Sequence, residues 1–134
     1  METLLTSAKT VVVIGCSSKP YRTSYHIAEY LMSSGFTILP VNPNEEEVFG
    51  IRSYPSIFDI PKGAKVDIFN IFRNKRYSLQ QMKEIIEWSE LTGQNPAIWT
   101  QLDVSTPEAK QLAEESGLVY VENRCIMVEH NRMN

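Results

Sequence analysis

Short apolar runs alternate with segments of helical period along this chain, and that alternation leaves few folds open. Residues 10–14, 36–41, 67–72, 97–100 and 118–121 are short runs dominated by β-branched, aliphatic and aromatic side chains and read as strands. Between them, apolar residues recur at helical spacing: Ile27, Ala28, Leu31 and Met32, then Leu79, Met82, Ile85 and Ile86, then Ala109, Leu112 and Ala113. Helices inserted between successive strands impose parallel pairing, because a parallel strand is reached only by a long crossover. The expected fold is therefore α/β: a Rossmann-like, doubly wound, parallel five-stranded sheet in three α/β/α layers. Counted along the chain, its strands are expected in the order 3-2-1-4-5, within one domain of residues 1–134 whose first nine residues form a lead-in.

Local punctuation supports these elements. Thr23 or Ser24 is placed to cap the first long helix, and Gly35 to end it. Ser78 with Gln81 has the spacing of a capping box, and Thr106-Pro107-Glu108 combines a hydroxyl cap, a first-turn proline and an acid at the positive dipole end. Pro40 removes one ladder donor and belongs near the end of its strand. Glu45-Glu46-Glu47 reads as a solvated first helical turn, residues 48–66 as an irregular connection with short extended pieces, and the tail after Cys125 as a short helix.

The richest chemistry lies at the first strand's end, where Gly15-Cys16-Ser17-Ser18-Lys19-Pro20 leads through Arg22 to Ser24. A strand, a small-residue turn and a helix start present backbone N–H groups to an anion, and Lys19 and Arg22 add positive charge. In an open parallel sheet, ligands bind beyond the carboxyl ends of the strands. The other strand ends carry Val41-Asn42-Pro43, Phe72-Arg73, Thr100-Gln101 and Asn123-Arg124-Cys125. Among nucleotide classes, the G-x-G-x-x-G turn of NAD domains is missing, and no acid lies between Phe36 and Asn44 to hold a ribose hydroxyl. The G-x-x-x-x-G-K-[ST] loop of nucleoside triphosphatases is missing too.

Thirteen basic and sixteen acidic residues leave a net charge of −3, which argues against nucleic acid as a partner. The apolar runs are too short to span a bilayer, and the two cysteines form neither a metal motif nor a disulfide framework. A cytoplasmic location with reduced thiols is the expectation.

Taken together, the loop at residues 15–20 with Ser24-Tyr25, Pro40-Val41-Asn42-Pro43, Phe72-Arg73, Ile98-Trp99-Thr100-Gln101-Leu102, Asn123-Arg124-Cys125-Ile126 and Glu129-His130 resemble the small standalone CoA-binding proteins. These are similar to the N-terminal CoA-binding domain of the succinyl-CoA synthetase α subunit. The resemblance implies coenzyme A or acyl-CoA as ligand, with Gly15, Ser17, Lys19, Arg22 and Ser24 at its phosphates and Cys16 and Ser18 completing the loop. It implies Val41, Asn42 and Pro43 at the adenosine end, Phe72 and Arg73 flanking the nucleotide, and Gln101, Asn123, Arg124 and Cys125 nearer the pantetheine arm. The chain departs from the family pattern at Thr23, where proline is frequent, and at Cys16, where a small apolar residue is frequent.

Plain structural roles compete at each position. Ser17, Ser18 and Ser24 also fit loop and cap duties, Arg73 and Arg124 an exposed surface, and Trp99 the core. His26 and His130 read as structural or solvated. Cys125 is either an inert thiol or one able to form a mixed disulfide with CoA under oxidation. The function expected is binding of CoA or acyl-CoA without catalysis, alone or docked on a protein partner. An NAD(P)-linked or other nucleotide-dependent enzyme and a nucleotide-sensing regulatory module are the alternatives.

Overall fold

The computed structural model describes residues 2–133; Met1 and Asn134, the outermost residues of the expected 1–134 domain, lie outside the described residues. Along the chain run α1 (Glu2–Ser7), β1 (Thr10–Ile14), α2 (Thr23–Ser33), β2 (Thr37–Val41), β3 (Glu47–Val48) and β4 (Ile51–Arg52). They are followed by β5 (Ile68–Ile71), α3 (Ser78–Thr92), β6 (Ala97–Thr100), α4 (Pro107–Glu115), β7 (Tyr120–Val121) and α5 (Ile126–Asn131). Five strands form one parallel sheet, with apolar clusters on both faces. One cluster joins Val11, Val13 and Trp99 to α2 and α5; the other joins Val12, Phe69 and Ile98 to α3 and α4.

The sheet runs β2-β1-β5-β6-β7, so its strands stand in the order 2-1-3-4-5 and not 3-2-1-4-5. Two residue patterns explain the correction. Ile68–Ile71 is buried at every position, which suits a strand flanked on both edges and covered on both faces. Pro40, in turn, has no N–H, and the backbone polar groups of residues 40 and 42 face away from β1. They meet Tyr54, whose N–H donates to the Pro40 carbonyl at 3.0 Å and whose carbonyl accepts from Asn42 N–H at 2.9 Å. A proline in that edge cannot complete a ladder, so a one-residue bridge closes it and the third strand pairs with β1 instead.

Residues 48–66 form the expected irregular connection, containing the β3–β4 hairpin and a 3-10 turn at Ile57–Asp59. The Glu45–Glu47 segment is not a helical turn: Glu47 belongs to β3, and Glu45 turns inward. The capping box is absent as well. Tyr77 precedes α3, the Ser78 hydroxyl is buried without a partner, and Asn74 caps the preceding 3-10 turn. The start at Thr106 forms as expected, with its hydroxyl accepting the Ala109 N–H at 3.2 Å. His130 is structural: its Nδ1 lies 2.8 Å from the Tyr30 hydroxyl, which ties α5 to α2.

Candidate functional site

The chain leaves β1 toward β2 across one face and returns toward β5 across the other, so the connections part between β1 and β5. A crevice is expected at that switch point. Its floor is drawn tight by backbone bonds. Gly15 N–H donates to the Val41 carbonyl at 2.7 Å, and Phe72 N–H to the Ile14 carbonyl at 2.9 Å. Gly15 has φ +86°, and a Cβ there would stand 2.8 Å from the Phe72 carbonyl oxygen. Glycine is thus required twice, by conformation and by the approach of the β5 end.

Two connected compartments open above this floor. The larger holds about 630 Å³ and is lined by Arg22, Val41, Asn42, Pro43, Phe72 and Arg73, with Tyr77, Gln81 and Glu84 from the α3 side. The smaller holds about 400 Å³ between the first loop and the start of α2, lined by Ser17, Lys19, Arg22, Ser24 and Glu45. Gly15, Arg22, Asn42, Asn44 and Phe72 border both. Arg73 is held for use across a plane: its Nη1 donates to Gln81 Oε1 at 2.8 Å, and its guanidinium lies 4.6 Å from the Tyr77 ring centre. In the sequence Tyr77 carries no expected role, and Gln81 reads only as the capping-box partner of Ser78. The signal was their spacing four and eight residues after Arg73, leading into a helix.

The first loop is largely self-satisfied. Ser17 N–H donates to Ser24 Oγ at 3.0 Å, and Lys19 N–H to Ser17 Oγ at 3.0 Å. Ser24 therefore braces the loop and does not cap α2, whose N-cap is Arg22 with no side-chain cap bond. That leaves the start of α2 without a competing side-chain acceptor. Asn42 joins the β1 and β2 loops: its Nδ2 donates to the Cys16 carbonyl and its Oδ1 accepts from Asn44 N–H, both at 2.9 Å.

Glu45 crosses from the second loop to the first. Its carboxylate accepts from Ser18 N–H at 2.6 Å and from the Ser18 hydroxyl at 2.8 Å. The backbone bond first, then the hydroxyl bond, hold its carboxyl below the usual range, with Lys19 adding attraction. The expectation of a wholly solvated acid run missed this contact.

Cys16 points away from the cleft into the apolar cluster under α2. Burial, followed by the charge of Glu45, pushes its thiol up to about 12. It stays protonated at neutral pH and is shielded, whereas Cys125 is half-buried. Iodoacetamide should therefore label Cys125 in the native chain and reach Cys16 only on unfolding, which peptide mass spectrometry can check.

Gln101, Asn123, Arg124 and Cys125 do not line either compartment. They gather beyond β5, Gln101 at the end of the adjacent β6 and Asn123, Arg124 and Cys125 after β7, one strand farther. Gln101 is buried, and its Oε1 accepts from Asn70 Nδ2 at 3.1 Å and from Ile126 N–H at 3.2 Å. Asn123, at φ +53°, accepts Asp103 N–H through Oδ1, and Arg124 pairs with Glu129 at 3.6 Å. The Arg124 carbonyl accepts from Trp99 Nε1 at 2.8 Å. Among the described residues no group of three His, Cys, Asp or Glu could hold a metal ion, and no helix is long and apolar enough to cross a membrane.

Comparison with known proteins places this geometry in context. The sequence model of the family described as "CoA binding domain" matches residues 9–131. An uncharacterized Bacillus subtilis protein, YneT, is 30% identical over 127 residues, covering 95% of this chain and 89% of its own. The ADP-forming acetate–CoA ligase II of Archaeoglobus fulgidus is 42% identical over 65 residues, which are 47% of this chain and 10% of that protein. The solved structure of cell-free ID.343 from Thermus thermophilus superposes with a TM-score of 0.89 at 31% identity, covering 99% of this chain and 96% of that one.

Proposed function

Because this chain belongs to the CoA binding domain family, we propose that it binds coenzyme A or an acyl-CoA in the cleft between β1, β2 and β5. One observation carries the reading: Lys19, Arg22 and Arg73 converge on a crevice whose floor is backbone and whose β2 end carries Asn42 in place of an acid. Such a crevice suits a nucleotide with several phosphates. Arg22, shared by both compartments, bridges two phosphate positions, and Arg73 presents a planar fork to a third. Val41, Asn42, Pro43 and Phe72 offer a partly apolar wall to the adenosine. The acetate–CoA ligase relative carries a name that includes this same coenzyme, which supports the ligand class.

The buried Gln101 and the Asn123–Cys125 turn form the neighbouring rim along which a pantetheine arm would extend. The reading includes no reaction of the chain's own; turnover of acetyl-CoA by the purified chain would overturn that part. Calorimetric titration with CoA, dephospho-CoA, NAD, NADP and ATP tests the ligand. CoA should bind most tightly and weaken about tenfold or more on loss of the 3′-phosphate, as expected for one charge-assisted pair. Tighter binding of NAD than of CoA would overturn the reading.

A further inference from the structure

We infer that Glu45 is a built-in occupant of the phosphate loop, which the ligand must displace. The inference rests on the nucleotide-binding reading above and adds a control on that same cleft. Of three consecutive loop amides, Ser17 and Lys19 donate within the loop and its helix, to Ser24 and Ser17 respectively. Ser18 instead donates to a carboxylate 27 positions later in the chain, through both its N–H and its hydroxyl. A carboxylate that accepts from one amide and one hydroxyl has the charge and acceptor geometry of a phosphate edge. The segment that carries it is folded to deliver it. Glu45 N–H donates to the Asn42 carbonyl at 3.2 Å, and Asn42 itself is tied to the Cys16 carbonyl at 2.9 Å.

Glu45 is half-buried there, whereas Glu46 and Glu47 are exposed, so one acid of the run is selected. It lines the smaller compartment with Lys19 and Arg22 and so places a negative charge against the cations a phosphate needs. Two like charges cannot share that seat cheaply. Ligand entry therefore moves Glu45 outward, frees the Ser18 donors and hands Lys19 to the phosphate. In the free chain the same contact keeps the loop closed and satisfied. The result is a lower affinity for any phosphate than the loop could deliver, with stronger discrimination in favour of ligands that engage the whole cleft.

The test compares the wild-type chain with Glu45→Gln and Glu45→Ala, using CoA and inorganic pyrophosphate as probes. Affinity is read by calorimetry, and the Ser18 amide by ¹H–¹⁵N NMR. Both variants should bind each probe about tenfold more tightly, because a competing charged acceptor has been removed. The Ser18 amide should also shift between the free wild type and free Glu45→Ala. Affinities within about twofold of wild type, or weaker ones, overturn the inference. Tighter pyrophosphate with no CoA binding in any chain would leave the gate standing and remove the CoA reading. Binding of neither probe by any chain would remove both.

Discussion

Gly15→Ala should destabilise the chain by about 2–4 kcal/mol and weaken CoA binding by more than tenfold. Two costs combine. The backbone at Gly15 has φ +86°, a conformation side-chain-bearing residues adopt only with strain, and the new methyl would meet the Phe72 carbonyl oxygen at 2.8 Å. That oxygen belongs to backbone at the end of β5, so it cannot swing aside as a flexible side-chain tip could. Relief must come from separating the ends of β1 and β5, which also widens the cleft floor and moves Phe72 away from Arg22. Thermal unfolding should therefore begin about 10 °C lower. Gly35 provides the control: it too has positive φ, at +99°, but open space surrounds its would-be Cβ. Gly35→Ala should cost less and leave CoA affinity unchanged. Equal effects at the two glycines would show that the close approach of β5 is unimportant.

Trp99→Ala is expected to cost about 3–5 kcal/mol, the range for removing a large buried aromatic side chain. Trp99 is fully buried in the cluster beneath α2 and α5, on one of the inner strands. Its indole also donates to the Arg124 carbonyl at 2.8 Å, so the substitution removes packing and leaves a carbonyl without its donor. Trp99→Phe separates the two effects, keeping most of the packing and losing the bond. It should cost about 1–2 kcal/mol and act chiefly on the 123–125 turn, raising amide exchange there. Urea unfolding measures both variants. A loss below about 1.5 kcal/mol for the alanine variant would contradict the packing described for this face.

Much of this architecture could be read locally. A run such as Val11-Val12-Val13-Ile14 has few stable uses other than a buried strand, and Thr106-Pro107 starts a helix through groups three residues apart. The position of the first loop was equally legible, since Gly15, Lys19 and Arg22 are close in the chain and line the same compartment. Strand order was harder, although two signals for it were present. The nearly unbroken apolar run around Ile68-Phe69-Asn70-Ile71 marked an inner strand, and Pro40 marked an edge. Both oppose the order 3-2-1-4-5, which follows only from analogy with other nucleotide-binding sheets.

Other features depend on groups far apart in sequence. Serine is a good helix cap in isolation, yet Ser24 accepts from Ser17 because the turn at Gly15 brings that amide to it. Ser78 and Gln81 have capping-box spacing, yet Gln81 is buried at the cleft and taken by Arg73. Three consecutive glutamates look alike in a sequence and would all be assigned to solvent.

Periodicity, turn residues and charge thus specified the α/β class, the strands and helices, and the loop on which the cleft is built, because each depends on neighbours along the chain. Which edge each strand joined, which serine capped nothing, and which glutamate reached the first loop depended on folding. Those outcomes are competitions for hydrogen bonds among distant groups, and the winner is set by which of them the packed sheet brings within about 3 Å.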